Sequence, residues 1–109
     1  MAKRLAIFIS GTGSNMMACL EKNSANVACV VSTSARAFGV VRARRLGIPV
    51  ILFGKNDSWS DLIVTLKSFG VENIFLAGFM RILPEKFVQA FKDRIINVHP
   101  SILPHYPGL

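Results

Sequence analysis

Few cysteines, few acidic residues and no long apolar run set the first limits on this chain of 109 residues. Its two cysteines, Cys19 and Cys29, stand ten apart, with no C-x-x-C pair and no histidine at ligand spacing. That argues against a metal cluster and leaves two apolar-flanked thiols, suited to a core in a reducing compartment. No apolar stretch approaches the roughly 20 residues that cross a bilayer, so no membrane span is expected. The start, Met1-Ala2-Lys3-Arg4, leads into an apolar run that stops at Ser10-Gly11. It is too short for the apolar region of a secretory signal, and a cytoplasmic protein is expected. Repeats, linkers and low-complexity segments are missing too, so residues 1–109 are read as a single domain.

Charge is sparse and lopsided. Charged residues make up 17% of the chain against 51% hydrophobic, the balance of a core-forming chain and not of a disordered one. Thirteen Lys and Arg face six Asp and Glu, for a formal net charge of +7. The positive residues are spread out, and only Arg42-Ala43-Arg44-Arg45 clusters, without interleaved aromatics. A solvated helix face or a preference for small anionic substrates accounts for this as well as nucleic acid would, and no nucleic-acid partner is expected.

What is present alternates between strand and helix. Leu5-Ala6-Ile7-Phe8-Ile9 is an apolar, β-forming run ended by glycine, the pattern of a parallel strand buried on both faces. Ser10-Gly11-Thr12-Gly13-Ser14-Asn15 follows, then a helical Met16 to Leu20. Strand, glycine-rich turn and helix together aim free backbone N–H groups at a phosphate, although such turns also serve tight strand-to-helix packing. Val27 to Val31 reads as a second strand, closed by Ser32-Thr33-Ser34 where a dinucleotide fold would want a carboxylate for the ribose. NAD is therefore not expected. Ser34 is a candidate N-cap for a helix over Arg36 to Leu46, and Gly47 stands just past its end.

Gly47-Ile48-Pro49-Val50-Ile51-Leu52 gives a third strand, with Pro49 among its first residues, where it is tolerated. Ser58 and Asp61 resemble a capping box, after which Trp59, Leu62, Ile63, Leu66 and Phe69 recur at helical spacing up to Gly70. A fourth strand lies within Val71 to Ala77. Gly78-Phe79-Met80-Arg81-Ile82-Leu83 then either lines a pocket for a flat ligand or is a packed crossover. Pro84-Glu85 opens a short helix with Phe87, Val88 and Phe91 turned inward. The fifth strand, Arg94 to Val98, is stopped by Pro100, which has no N–H for a ladder and holds His99 extended. Asn97 and His99 would share a face at the carboxyl end of that strand, where open α/β sheets place ligands. Histidine suits proton transfer near neutral pH, and a carboxamide can hydrogen-bond a developing oxyanion; a structural histidine closing a strand end is the alternative. The class is α/β, a Rossmann-like open and mainly parallel sheet with flanking helices.

Five stretches then point to one family: Ile9 to Asn15, Ala37-Phe38-Gly39 with Arg42-Ala43, Gly47-Ile48-Pro49, Leu76 to Leu83, and Asn97-Val98-His99-Pro100-Ser101 through Tyr106-Pro107-Gly108. In order and spacing they resemble the amino-terminal half of the folate-dependent formyltransferases. Pro100 and the Gly13-Ser14-Asn15 turn favour the glycinamide ribonucleotide branch, which serves purine synthesis. The resemblance implies formyl transfer from 10-formyltetrahydrofolate, as cosubstrate and without a metal, to the amine of glycinamide ribonucleotide. It implies that Gly13, Ser14 and Asn15 hold the ribonucleotide phosphate. Met80, Arg81, Ile82 and Leu83, with Asn97, would bind the folate, Asn97 would polarise the formyl oxygen, and His99 would assist proton transfer.

The family also has a catalytic Asp beyond the His and an Arg that contacts folate near the helix after the third strand. The chain stops at Leu109 before the first and carries Asn56-Asp57-Ser58-Trp59 where the second would stand. Weak or no activity of the isolated chain is therefore an expectation, as is a homodimer formed through apolar surface left open on the sheet edge. Another 10-formyltetrahydrofolate-dependent formyltransferase or hydrolase, and a noncatalytic phosphate-binding module that keeps only the glycine turn, are the alternative readings.

Overall fold

The computed structural model describes residues 4–10, 24–79 and 81–98. Five strands, β1 (Leu5–Ile9), β2 (Val27–Ser32), β3 (Val50–Leu52), β4 (Asn73–Ala77) and β5 (Ile95–Val98), form one sheet in the order β3-β2-β1-β4-β5. Every pairing is parallel. Three helices are described: α1 (Phe38–Arg45), α2 (Trp59–Ser68) and α3 (Glu85–Ala90). The expected α/β class, with an open parallel sheet, is what the chain adopts.

Two apolar layers flank the sheet, and strand alternation sorts residues between them. Leu5, Ile7 and Ile9 pack with Val40 and Ala43 of α1. Ala6 and Phe8 pack on the other face with Leu62 and Leu66 of α2 and Phe87 of α3. All five residues of β1 are buried, as its unbroken apolar run requires of a central parallel strand. One irregularity keeps β2 in phase. Leu5 pairs with Val27 but Ala6 pairs with Cys29, so Ala28 is an extra residue in the β2 strand. The bulge lets Val27 and Val30, three apart, share the α1 face while Cys29 and Val31 take the other.

Helix ends are set by local chemistry. The Ser58 hydroxyl accepts the Asp61 N–H at 3.1 Å, capping α2 as the spacing predicts. Gly70, at φ 80°, ends the same helix in a Schellman turn. Its N–H donates to the Lys67 carbonyl, and the Val71 N–H reaches back to Leu66. Gly47 closes α1 in the same way.

Three expectations need correction. α1 begins at Phe38 and not at Arg36, and its N-cap is Ala37, with no side-chain cap. Ser34 instead accepts the Arg36 N–H two residues on, a serine turn that competes with helix at this point. Val88 is 39% exposed because Phe87 fills the inward slot of a helix only six residues long. Phe69, placed by spacing in the buried stripe, is the C-cap of α2 and lies 40% exposed.

Cys29 is fully buried in the α2–α3 layer, and burial pushes its thiol up from 9.0 to about 12. The folded state therefore holds this proton more tightly than the unfolded chain does. The resulting stabilisation is complete below pH 9 and is lost progressively as pH rises toward 12. Cys29→Ala is expected to flatten that part of a stability–pH curve measured by urea unfolding. A decline of unchanged steepness would assign it to other groups.

Candidate active site

The order β3-β2-β1-β4-β5 places the topological switch between β1 and β4. The chain leaves β1 toward β2 on one side and leaves β4 toward β5 on the other. Such a switch point is where an open α/β sheet forms a crevice above the carboxyl ends of the two strands, its usual ligand position. Ser10 enters it from β1, Gly78 and Phe79 from β4, and the upper end of β5 flanks it. The segment that follows β1, residues 11–23, lies outside the described residues.

Register fixes Asn97 within this frame. Asn97 is level with Leu76 on β4, and Leu76 is level with Phe8 on β1, one residue short of the end of that strand. Two strand spacings, roughly 10 Å, separate the Asn97 and Phe8 backbones. Asn97 is exposed, and its carboxamide makes no hydrogen bond to another described residue. A donor group thus stands open to solvent near the carboxyl end of β5.

Gly78 leaves β4 at φ 73°, a left-handed turn that a side chain would strain. Phe79 then packs edge-on against Phe8, ring centroids 5.2 Å apart, and against Trp59 at 6.4 Å. Trp59 in turn meets Phe53 at 4.7 Å and Phe87 at 5.2 Å. An aromatic wall therefore rises from the core to the mouth of the crevice. Past it, Leu83 packs against the α2–α3 layer while Ile82 is 92% exposed.

Sequence reasoning did not anticipate what Arg81 does. Its two terminal nitrogens donate to the carbonyls of Phe53 and Gly54 at 3.2 and 3.1 Å, and its guanidinium lies 5.3 Å over the Phe53 ring. No sequence signal marks this contact, because its acceptors are main-chain oxygens 27 and 28 residues away. At the end of β2 the buried Ser32 hydroxyl donates to the Ser34 carbonyl at 2.7 Å and accepts the Ser34 N–H at 3.1 Å. That group is closed on its own loop.

Of the residues expected to act, Asn97, Arg81, Ile82 and Leu83 are placed at this end of the sheet. His99, Met80, Gly13, Ser14 and Asn15 lie outside the described residues, and so do the other residues from Gly11 to Leu20, where a turn and a helix are expected. Among the described residues no group of three or more His, Cys, Asp or Glu could hold a metal ion. No helix among them is long and apolar enough to cross a membrane.

A family model described as formyl transferase matches residues 3–109. The chain belongs to the formyl transferase family. Among its relatives, the phosphoribosylglycinamide formyltransferase of Haemophilus influenzae is 39% identical over 118 residues, covering 98% of this chain and 56% of that protein. The Escherichia coli protein of the same name is 38% identical over 116 residues, covering 96% of this chain and 55% of its own length. The formyl transferase fold is shared as well. The phosphoribosylglycinamide formyltransferase structure from Brucella melitensis superposes with a TM-score of 0.82 at 35% identity, over 100% of this chain and 62% of that one. The structure from Anaplasma phagocytophilum gives 0.78 at 41%, over 100% and 55%. This chain thus spans a little over half the length of these formyl transferases.

Proposed function

We propose that the protein carrying this chain transfers the formyl group of 10-formyltetrahydrofolate to the amine of glycinamide ribonucleotide, a cytoplasmic reaction of small anionic molecules that uses neither metal nor nucleic acid. The observation that carries the reading is the position of Asn97. Its exposed carboxamide, with no hydrogen bond to another described residue, stands beside the carboxyl ends of β1 and β4, in a chain whose relatives are named for this reaction.

The chemistry assigns the parts. The substrate amine attacks the formyl carbon, and the carbonyl oxygen gains negative charge as the tetrahedral intermediate forms. The Asn97 N–H donates to that oxygen. His99 takes a proton from the attacking nitrogen, a proton reaches the folate nitrogen, and the bond from that nitrogen to the formyl carbon breaks. Gly13, Ser14 and Asn15, at the turn after β1, hold the ribonucleotide phosphate through backbone N–H groups. Met80 to Leu83 line the folate side, with Ile82 offering apolar surface to the flat ring and Arg81 beside it.

Trp59 is the only tryptophan of the chain and touches Phe53 and Phe79, so its emission reports on this wall. Titration with 10-formyltetrahydrofolate is expected to give a saturable change, and glycinamide ribonucleotide a binding isotherm by calorimetry. Ribonucleotide binding without folate binding would favour a noncatalytic phosphate module. Binding of neither would overturn the proposal.

A further inference from the structure

Arg81 follows β4 and spends its charge on main-chain oxygens. No carboxylate among the described residues forms an ion pair with it; the ion pairs described join Glu72 to Arg4 and Arg94 at the opposite end of the sheet. Its fork is spent instead on two consecutive main-chain carbonyls, Phe53 at 3.2 Å and Gly54 at 3.1 Å, and its flat face covers the Phe53 ring. A guanidinium does this well because its donors are fixed in one plane and its face stacks on aromatics.

The rest of the β3 exit is tied with equal completeness. The Phe53 N–H donates to the Ser32 carbonyl at 2.8 Å, and the Gly54 N–H donates to the Asp57 carboxylate at 2.6 Å. The Asp57 N–H returns to the Gly54 carbonyl at 3.2 Å. Arg81 therefore supplies the link that joins this closed turn to the segment after β4. On the far side of Ile82, Leu83 packs into the α2–α3 layer. One residue, 92% exposed and fully apolar, is held out to solvent between two anchors. An isoleucine held there has apolar surface to offer to a flat ligand.

We infer that Arg81 is a positioning residue of the crevice, acting through the Phe53 and Gly54 carbonyls to hold the Arg81–Leu83 wall in the shape that presents Ile82 to a flat apolar ring. This deepens the proposed function and rests on it for the ligand, a folate. It assigns the guanidinium to the protein and not to an anionic part of the ligand. The two roles separate cleanly on substitution. A ligand-facing cation would be replaced in large part by lysine, which keeps the charge. The tether would not, because an ammonium is a single point and cannot span both carbonyls while stacking on the ring. A tether also makes Phe53, which is buried, matter to folate binding through the ring on which Arg81 stacks, beside its contact with Trp59.

The test compares the wild-type chain with Arg81→Lys, Arg81→Gln, Phe53→Leu and the Arg81→Lys/Phe53→Leu double variant, reading hydrogen exchange and 10-formyltetrahydrofolate affinity. Arg81→Lys is expected to speed exchange at the Phe53, Gly54 and Asp57 amides while leaving those of β1 unchanged. Folate affinity should fall about ten-fold, as for loss of hydrogen bonds from a charged donor. Arg81→Gln and Phe53→Leu should weaken binding to a similar degree, and the double variant should be little worse than either single one. Wild-type exchange in Arg81→Lys overturns the tether. Binding kept by lysine but lost with glutamine, or losses that multiply in the double variant, would make Arg81 a direct ligand contact. A wild-type chain that binds no folate defeats the functional reading, and the exchange rates still decide the tether.

Discussion

Phe87→Ala is expected to cost about 3–5 kcal/mol, a large share of the roughly 5–15 kcal/mol by which a domain of this kind is stable, and so to shift its unfolding midpoint far down. Phe87 is fully buried, and its ring meets those of Phe8 at 5.6 Å, Trp59 at 5.2 Å and Phe91 at 5.1 Å. These neighbours sit on β1, on α2 and just past α3. They cannot all move into one hole, because each is fixed by a different element. The loss therefore includes a cavity as well as the transferred surface, together with three ring–ring contacts. Urea unfolding followed by circular dichroism measures it, with Phe87→Leu as the milder control. A midpoint for Phe87→Ala near that of the wild type would mean that the aromatic wall is decoration on a core held elsewhere.

The strands were legible because a parallel sheet covered on both faces leaves apolar runs with little polar alternation. Leu5 to Ile9 is such a run, and its bounds are those of β1. Helix α2 was legible from Ser58 to Gly70 because cap, apolar stripe and terminal glycine agreed. The start of α1 was not, since Ser34 can cap a helix or close a turn, and nothing local in Ser34-Ala35-Arg36 decides between them. Nor was the bulge at Ala28, because no glycine or proline marks it. It follows from the need to bring both faces of β2 into line with β1, a relation between two segments more than twenty residues apart.

In the candidate site, the place of Asn97 near the carboxyl end of β5 was readable because Pro100, two residues past Val98, is a local stop signal. The crevice itself required the strand order, which alternation of strand and helix does not specify. The work of Arg81 was hidden for a different reason. Side chains that meet side chains leave complementary residue types in the sequence, but every residue carries a carbonyl, so a guanidinium on main-chain oxygens leaves no such trace. The same holds for Trp59, whose spacing marked it correctly as an inward residue of α2 but could not say that its ring closes a wall beside Phe79.

Asn97 and His99 are expected to separate chemistry from folding and from binding. Asn97 is exposed near the carboxyl end of β5 and makes no hydrogen bond to another described residue, so Asn97→Ala should change unfolding stability by no more than about 0.5 kcal/mol. Its kcat for formyl transfer should fall by about 10²–10³-fold, because the donor to the developing oxyanion is gone. Asn97→Asp should be worse than alanine despite its matching shape. An ionised carboxylate offers only acceptors and would face a growing negative charge. His99→Ala removes the group proposed to move the proton, for an expected loss of about 10²–10⁴-fold in kcat. The phosphate is proposed to be held by Gly13, Ser14 and Asn15 and not by these two residues, so ribonucleotide affinity should stay within about two-fold in all three variants, a change of under half a kcal/mol. Single-turnover formyl transfer and calorimetry on the protein carrying this chain read both quantities. A kcat that survives loss of His99, or an aspartate as active as the native asparagine, would remove these two residues from the reaction.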